Sequence, residues 1–186
     1  MSNKPNYNDT TYAILGILTT NCRSGYAIKQ LIDRSLNHFW KISYGQIYPT
    51  LKLIVAEQLA TIKTSSQQGR PERHEYELTD KGWSVLKHWL EQPLVQPPLE
   101  RNEVLLKLFF GNHQSQQHSI AIIEDYRNKL EARLQTYCNI EQSILPMATS
   151  ERDAKYWLIT IDYGKRTTIA AIEWCSHTLQ QLSSLE

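Results

Sequence analysis

Hydrophobic positions along the chain follow helical and strand rhythms whose character changes near residue 92. Tyr12, Ile14, Leu15 and Leu18 follow the capping candidates Asn8, Asp9 and Thr10, predicting a first helix that stops near Asn21. Ser24 caps a second helix, with Ala27, Ile28, Leu31 and Ile32 as its apolar stripe. Beyond Phe39 and Trp40, Ile47, Leu51 and Ile54 recur at i, i+4 and i+7, so a third helix starts after Ser43. Pro49 falls inside it and removes one backbone bond, which predicts a tolerated kink near its N-terminus. Residues 59–64 and 74–78 read as paired strands, joined by a polar stretch holding Gly69 and Pro71. Thr79 and Asp80 then cap a fourth helix through Trp83, Leu86 and Leu90. Helix, helix, helix, hairpin, helix is the order of a winged helix-turn-helix, with the hairpin as its wing.

The segment from Gln92 to Pro98, with Pro93, Pro97 and Pro98, marks the clearest boundary. It divides the chain into a domain at 1–92, a Pro-rich linker at 93–99 and a helical domain at 100–186. In the last part, Arg101 to Phe110 is a short apolar helix ended by Gly111 and Asn112. From Ser115 onward, Ile123, Leu130, Tyr137 and Ile144 repeat every seven residues, and Pro146 is expected to close that helix. Ser150 to Asp153 has the pattern of a capping box with Asp in the Glu place. A final helix carries the same seam through Leu158, Ile161, Ile172, Cys175, Leu179 and Leu182, interrupted by Lys165 and Thr168. Helices of roughly 30 residues span about 45 Å. An antiparallel pair of that length cannot bury both apolar faces alone. A second copy of the chain is the economical partner, with Ile123, Leu130, Tyr137, Leu158, Ile172 and Leu179 as the dimerisation candidates. The expected fold is mainly α: a winged helix-turn-helix domain with a small β-hairpin wing, plus a long-helix C-terminal dimerisation domain.

Charge sharpens the first half of this picture. The net charge of +1 hides a division: residues 1–92 hold 11 Lys and Arg against 8 Asp and Glu, and residues 93–186 hold 9 against 11. Between 23 and 73, eight basic residues face only Asp33, Glu57 and Glu72. Such a local excess suits a polyanion, because neutralising phosphates supplies affinity independent of sequence. The third helix adds a non-acidic polar front of Ser43, Tyr44, Gln46, Thr50 and Lys52, types that meet phosphate oxygens or base edges. A dry back and a hydrogen-bonding front are what a DNA recognition helix requires.

The remaining composition narrows the function class. No apolar run is long enough for a membrane span and no basic-then-apolar leader opens the sequence, so a cytoplasmic location is expected. Cys22, Cys138 and Cys175 cannot all pair, which fits a reduced compartment. His, Cys and carboxylate residues show no metal-ligand spacing, and there is no serine elbow, P-loop or paired acid–base arrangement. Neither an enzyme nor a cofactor is expected.

Together these residues resemble the PadR family of bacterial winged-helix transcriptional regulators. The resemblance rests on residues 12–18, Ser24-Gly25-Tyr26, Phe39-Trp40, residues 43–51 with their Gly45-Gln46-Ile47-Tyr48-Pro49 core, Gly69-Arg70-Pro71, and residues 76–79 followed by Lys81-Gly82. The later part is similar to the helical C-terminal domain of the larger PadR subgroup, shared with virulence-activator proteins. Its cues are residues 101–107, Tyr156-Trp157 and residues 172–175.

The resemblance implies a homodimeric regulator of a two-half-site operator, most often a repressor, whose third helix enters the major groove of double-stranded DNA. Carried onto matching positions, it makes Ser43, Tyr44, Gln46, Tyr48, Pro49, Thr50 and Lys52 candidates for DNA contact. Ser24 and Tyr26 would hold phosphates at the start of the second helix, and Arg70 and Arg73 would reach out from the wing. Val55 and Gln58 depart from the acid and glycine usual in the family, and Leu53 takes a place that is often basic. Phe39 and Trp40, with Trp157 or Trp174, are candidates for a pocket holding a small aromatic effector. A winged-helix protein–protein adaptor and a transcriptional activator are the alternatives.

Overall fold

The computed structural model describes residues 7–65, 73–94, 96 and 101–184, with the backbone alone at Ser65 and Arg73. The chain separates into two compact units, residues 1–95 and 96–186.

In the first unit, α1 (Asp9–Leu18) is the central element, with Tyr12, Ile14, Leu15, Ile17 and Leu18 all buried. Asn8 caps it by accepting from the Thr11 amide, and Tyr12 stacks on Trp89 at 4.8 Å between ring centres. Around it lie α2 (Gly25–Arg34), α3 (Tyr44–Ala56) and α4 (Asp80–Leu90). These contribute Ile28 and Ile32, then Ile47, Leu51 and Ile54, and finally Leu86 to one core. The helices start where capping chemistry dictates: Ser24 Oγ accepts from the Ala27 amide and Thr79 Oγ1 from the Gly82 amide. β1 (Ala60–Ser65) and β2 (Arg73–Leu78) pair antiparallel, in a register running from Ala60 opposite Leu78 to Ser65 opposite Arg73. β2 is also tied to the chain entering α2, because the Tyr76 amide donates to the Arg23 carbonyl at 2.8 Å. The expected winged helix-turn-helix is therefore present, with α3 continuing through Pro49.

The turn after α3 includes Gln58, where the family resemblance implies a glycine. The Leu59 amide donates to the Ile54 carbonyl and the Gln58 amide to the Val55 carbonyl, which together make a Schellman ending. Such an ending needs a left-handed residue, and Gln58 takes that place with φ of 58°. Leu59 is fully buried, so the strained turn is held by the core.

The second unit opens with α5 (Glu103–Phe109), capped by Asn102, whose side-chain oxygen accepts from the Val104 amide. Two long helices follow, α6 (Gln116–Met147) and α7 (Glu151–Ser183), each close to 50 Å at the usual rise. They fold back on each other as an antiparallel hairpin. Pro146 does not close α6; it lies within the last turn, and the Ala148 amide still reaches the Ile144 carbonyl. The capping box at Ser150 is also modified. Ser150 Oγ accepts from the Asp153 amide, but the Asp153 carboxylate takes the Ser150 and Thr149 hydroxyls rather than the Ser150 amide. Asp is one methylene shorter than the Glu that makes the reciprocal bond. Those two hydroxyls hold its carboxyl below the ordinary range.

Of the dimerisation candidates, three are taken up by the chain's own fold. Ile123, Leu130 and Tyr137 are buried within the single chain, at the seam between α6 and α7. Leu158, Ile172 and Leu179 are half-buried against the same two clusters. A heptad rhythm specifies a partner helix but not whose it is, and here the chain's own return helix fills it. The interruptions also find a use: Lys165 pairs with Glu141 at 2.7 Å, and buried Thr168 donates to the Gly164 carbonyl. Among the described residues, no helix is long and apolar enough to cross a membrane.

Candidate nucleic-acid interface

The front of α3 follows from its back. Ile47, Thr50, Leu51 and Ile54 form the buried side, so residues 45, 46, 48, 49, 52 and 53 face outward. Thr50 is only 6% exposed, and its assignment to the polar front is corrected. Its place at i+3 from Ile47 and i−4 from Ile54 puts it on the core side, a spacing the sequence already contains. Leu53 is 40% exposed and stands on the outer side instead.

Hydrogen bonding sorts the exposed candidates by what they still have to offer. Gln46 Oε1 accepts from the Ser43 amide at 3.3 Å. That bond turns the carbonyl of the Gln46 amide toward the helix start and leaves its NH2 group as the outward donor. Lys52 and Pro49 are exposed on the same helix. Tyr48 lies over the start of α2: a Cβ added to Gly25 would meet the Tyr48 ring at 2.8 Å. Burial first, and then the neighbouring Tyr48, push the Tyr76 hydroxyl above its ordinary value.

Tyr26 and Tyr44 differ in a way sequence alone does not reveal. Tyr26 is 66% exposed and its hydroxyl accepts from Gln30 Nε2 at 2.8 Å, so its own proton is free to be donated. Tyr44 donates its proton to Asp33, and Lys29 Nζ stands 4.4 Å from the ring centre. The hydrogen bond to Asp33, then partial burial and the Asp33 charge, raise the Tyr44 hydroxyl's pKa. A phosphate oxygen can only accept, so Tyr44 cannot bond one while it holds Asp33. Ser24 Oγ accepts within its cap and keeps its proton for a donor role.

The basic segment is partly self-neutralised. Arg23 and Lys63 both bind Glu77, at 2.6 and 2.5 Å, which links the start of α2 to both wing strands. Arg70 lies outside the described residues; Arg73 begins β2. Of the effector candidates, Phe39 and Trp40 are exposed in the first unit, after a 3-10 turn at Leu36–His38. Trp157 packs on the Tyr137 cluster and Trp174 on the Ile123 cluster, 17 positions apart on one helix and so about 25 Å along its axis. Residues that sequence reading passed over are Lys29, Gln30, Asp33 and Asn37, which support the front without belonging to it.

Comparison with known proteins agrees with this fold. Residues 14–88 match the transcriptional regulator PadR-like family, and residues 100–183 match the virulence activator alpha C-terminal family. The chain is 33% identical over 152 residues to the negative transcriptional regulator PadR of Bacillus subtilis, covering 80% of this chain and 84% of that one. The crystal structure of Bacillus subtilis PadR in complex with operator DNA aligns with a TM-score of 0.83 at 28% identity, over 94% of this chain and 99% of that chain. The structure of the same protein in complex with p-coumaric acid aligns with a TM-score of 0.76 at 28% identity, over 94% and 98%. With a winged helix whose α3 is exposed and non-acidic on its outer side, and with relatives matched over most of its length, the chain belongs to the PadR-like family of transcriptional regulators.

Proposed function

We propose that this regulator is a homodimeric repressor that places α3 of each copy in the major groove of a two-half-site operator. The observation that carries the reading is the outward side of α3: Gln46, Tyr48, Pro49 and Lys52 are exposed on a helix whose back is closed by Ile47, Leu51 and Ile54. Gln46 offers an NH2 donor to purine acceptors or phosphates, Lys52 a charge, and Ser24 and Tyr26 hydroxyl protons beside the first amides of α2. The complex of Bacillus subtilis PadR with operator DNA supports the same use of this fold. The test is fluorescence anisotropy on the chain's own upstream DNA. Gln46→Ala with Lys52→Ala should weaken binding by about 2 kcal/mol while leaving the melting temperature nearly unchanged. Affinity should also fall steeply with salt. Unaltered affinity in the double variant would remove α3 from the recognition role, and a flat salt response would favour a protein–protein adaptor.

The second copy is supported by what the hairpin leaves uncovered. Tyr156, Ile159 and Tyr163 form an exposed stripe at i, i+3 and i+7 on α7, and Leu105, Leu106 and Phe109 are exposed on α5. Phe109 is 82% exposed and Tyr163 71%. Apolar side chains in such number mark an association surface. Light scattering after size exclusion should give twice the chain mass, and Ile159→Asp with Tyr163→Asp should give the monomer and weaken DNA binding. A wild-type monomer at micromolar concentration would remove the dimer.

A small aromatic acid is the proposed effector, on the strength of the p-coumaric acid complex of the Bacillus subtilis relative. Titration with p-coumaric acid, following tryptophan fluorescence, should release the operator DNA. Phe39→Ala or Trp40→Ala should abolish that release if these residues line its site. DNA that stays bound at saturating acid would exclude this effector class.

A further inference from the structure

We propose that Asp33 is a positioning residue for the recognition helix, and that its carboxylate strengthens DNA binding although its charge opposes it. The inference rests on the DNA-binding reading above. Nine residues, 35–43, separate α2 from α3. Tight helix-turn-helix connections use three or four, and their brevity alone fixes the second helix. Here the chain between the helices is long enough to let the start of α3 wander, so something else must set it.

One carboxylate oxygen does so. Asp33 Oδ1 accepts the Tyr44 hydroxyl, from the first residue of α3, and Asn37 Nδ2 at 3.2 Å, from the connection. Asn37 Oδ1 in turn accepts the Ile42 amide at 3.3 Å, and Ile42 is buried in the core. A single atom thus joins the last turn of α2, the middle of the connection and the start of α3. Lys29, one helical turn before Asp33, completes the seat by placing its ammonium over the Tyr44 ring. The back of α3 is held by apolar packing, which resists separation but allows sliding. These directional bonds at its first turn fix the angle at which Gln46 and Lys52 are presented.

Asp33 is also one of only three acids between residues 23 and 73. By charge alone, removing it from a surface that meets phosphates should tighten binding. Positioning predicts the reverse, so the two accounts differ in sign. They also differ in chemistry. Because both donors meet the same oxygen, the amide oxygen of asparagine can replace it without the charge.

The experiment measures the affinity of the full-length chain for its own upstream duplex by anisotropy at low and moderate salt, with circular dichroism confirming the fold of each variant. Asp33→Ala should weaken binding at least fivefold, and Tyr44→Phe, which removes only the hydroxyl, by a similar factor. The double variant should lose little more than either single one, and Asp33→Asn should bind at least as tightly as wild type. Asp33→Ala that binds as well as or better than wild type would overturn the proposal. So would an Asp33→Asn as weak as Asp33→Ala, or additive losses in the double variant. Failure of the wild-type chain itself to bind DNA would instead refute the functional reading on which the inference stands.

Discussion

The two units of the chain are each locked by a glycine, but against different kinds of neighbour. At the foot of α4 in the first unit, a Cβ on Gly82 would lie 2.0 Å from the Leu59 carbonyl oxygen. In the hairpin, a Cβ on Gly164 would lie 2.9 Å from the Tyr137 ring. The first contact is backbone on backbone, at the point where the end of α3 meets the start of α4. The second is a side chain lying in a notch of the opposite helix. A ring can tilt within a seam, whereas a backbone bonded on both sides cannot. The unit that carries α3 is therefore built for position, and the hairpin for continuous contact.

Replacing Gly82 with Ala tests the rigid side of this comparison and should have the largest effect. The Leu59 carbonyl already accepts the Thr79 amide at 3.0 Å, and the Leu59 amide closes the end of α3. Thr79 Oγ1 holds the Gln58 carbonyl and Lys81 Nζ the Glu57 carbonyl. Moving any one strand of this junction breaks several bonds, and a loss of about 3 kcal/mol or more is expected. Urea unfolding followed by the first unit's tryptophans should show it. A variant as stable as wild type would mean that the junction yields, and the contrast between the units would disappear.

Gly164→Ala tests the compliant side. Helix propensity favours alanine by about 1 kcal/mol, while displacing the Tyr137 ring costs about 1–3 kcal/mol. The net loss should be about 1 kcal/mol. It should be recovered in part by Tyr137→Leu in the same chain, which no side-chain change would achieve for Gly82. Equal losses at the two glycines, or no recovery, would count against the distinction.

Much of this was legible in the sequence because capping residues and apolar spacing are local. Ser24, Ser43 and Thr79 announce their helices, and Ile47, Leu51 and Ile54 identify the back of α3. What stayed open were the points whose answer depended on a distant partner. The seven-residue rhythm of Ile123, Leu130 and Tyr137 is equally good for a second copy or for the chain's own α7. Tyr44 is a competent phosphate donor by type, and only the fold reveals that Asp33 already holds its proton. Thr50 was misplaced for another reason: its hydroxyl suggested the front, although its helical position demanded the back.

Gln58→Gly should produce a smaller change of opposite sign in the rigid unit. Relief of the left-handed backbone at φ of 58° is worth about 1–2 kcal/mol, and glycine's greater unfolded-state freedom returns about 0.5–1 kcal/mol of it. A net gain of about 0.5–1 kcal/mol should raise the unfolding midpoint of the first unit without altering DNA affinity. A loss would mean that the Gln58 side chain contributes more than its backbone strain costs.

The smallest effect separates charge from packing within that same unit. Glu77 joins Lys63 of β1 to Arg23 ahead of α2, and both ion pairs are exposed. The hydrogen bond from Lys63, followed by the charges of Lys63 and Arg23, holds its carboxyl below the ordinary 4.5 despite partial desolvation. A depressed carboxylate contributes stability above its unfolded pKa and loses it as pH falls through the folded one. Glu77→Gln should therefore melt slightly lower than wild type at pH 7, and the gap should close as the pH is taken below 4.5. At neutral pH the same variant releases Arg23 and Lys63 from their acid, so its affinity for DNA should rise and become more sensitive to salt. A melting gap that persists in acid would assign the role of Glu77 to packing of the wing rather than to charge.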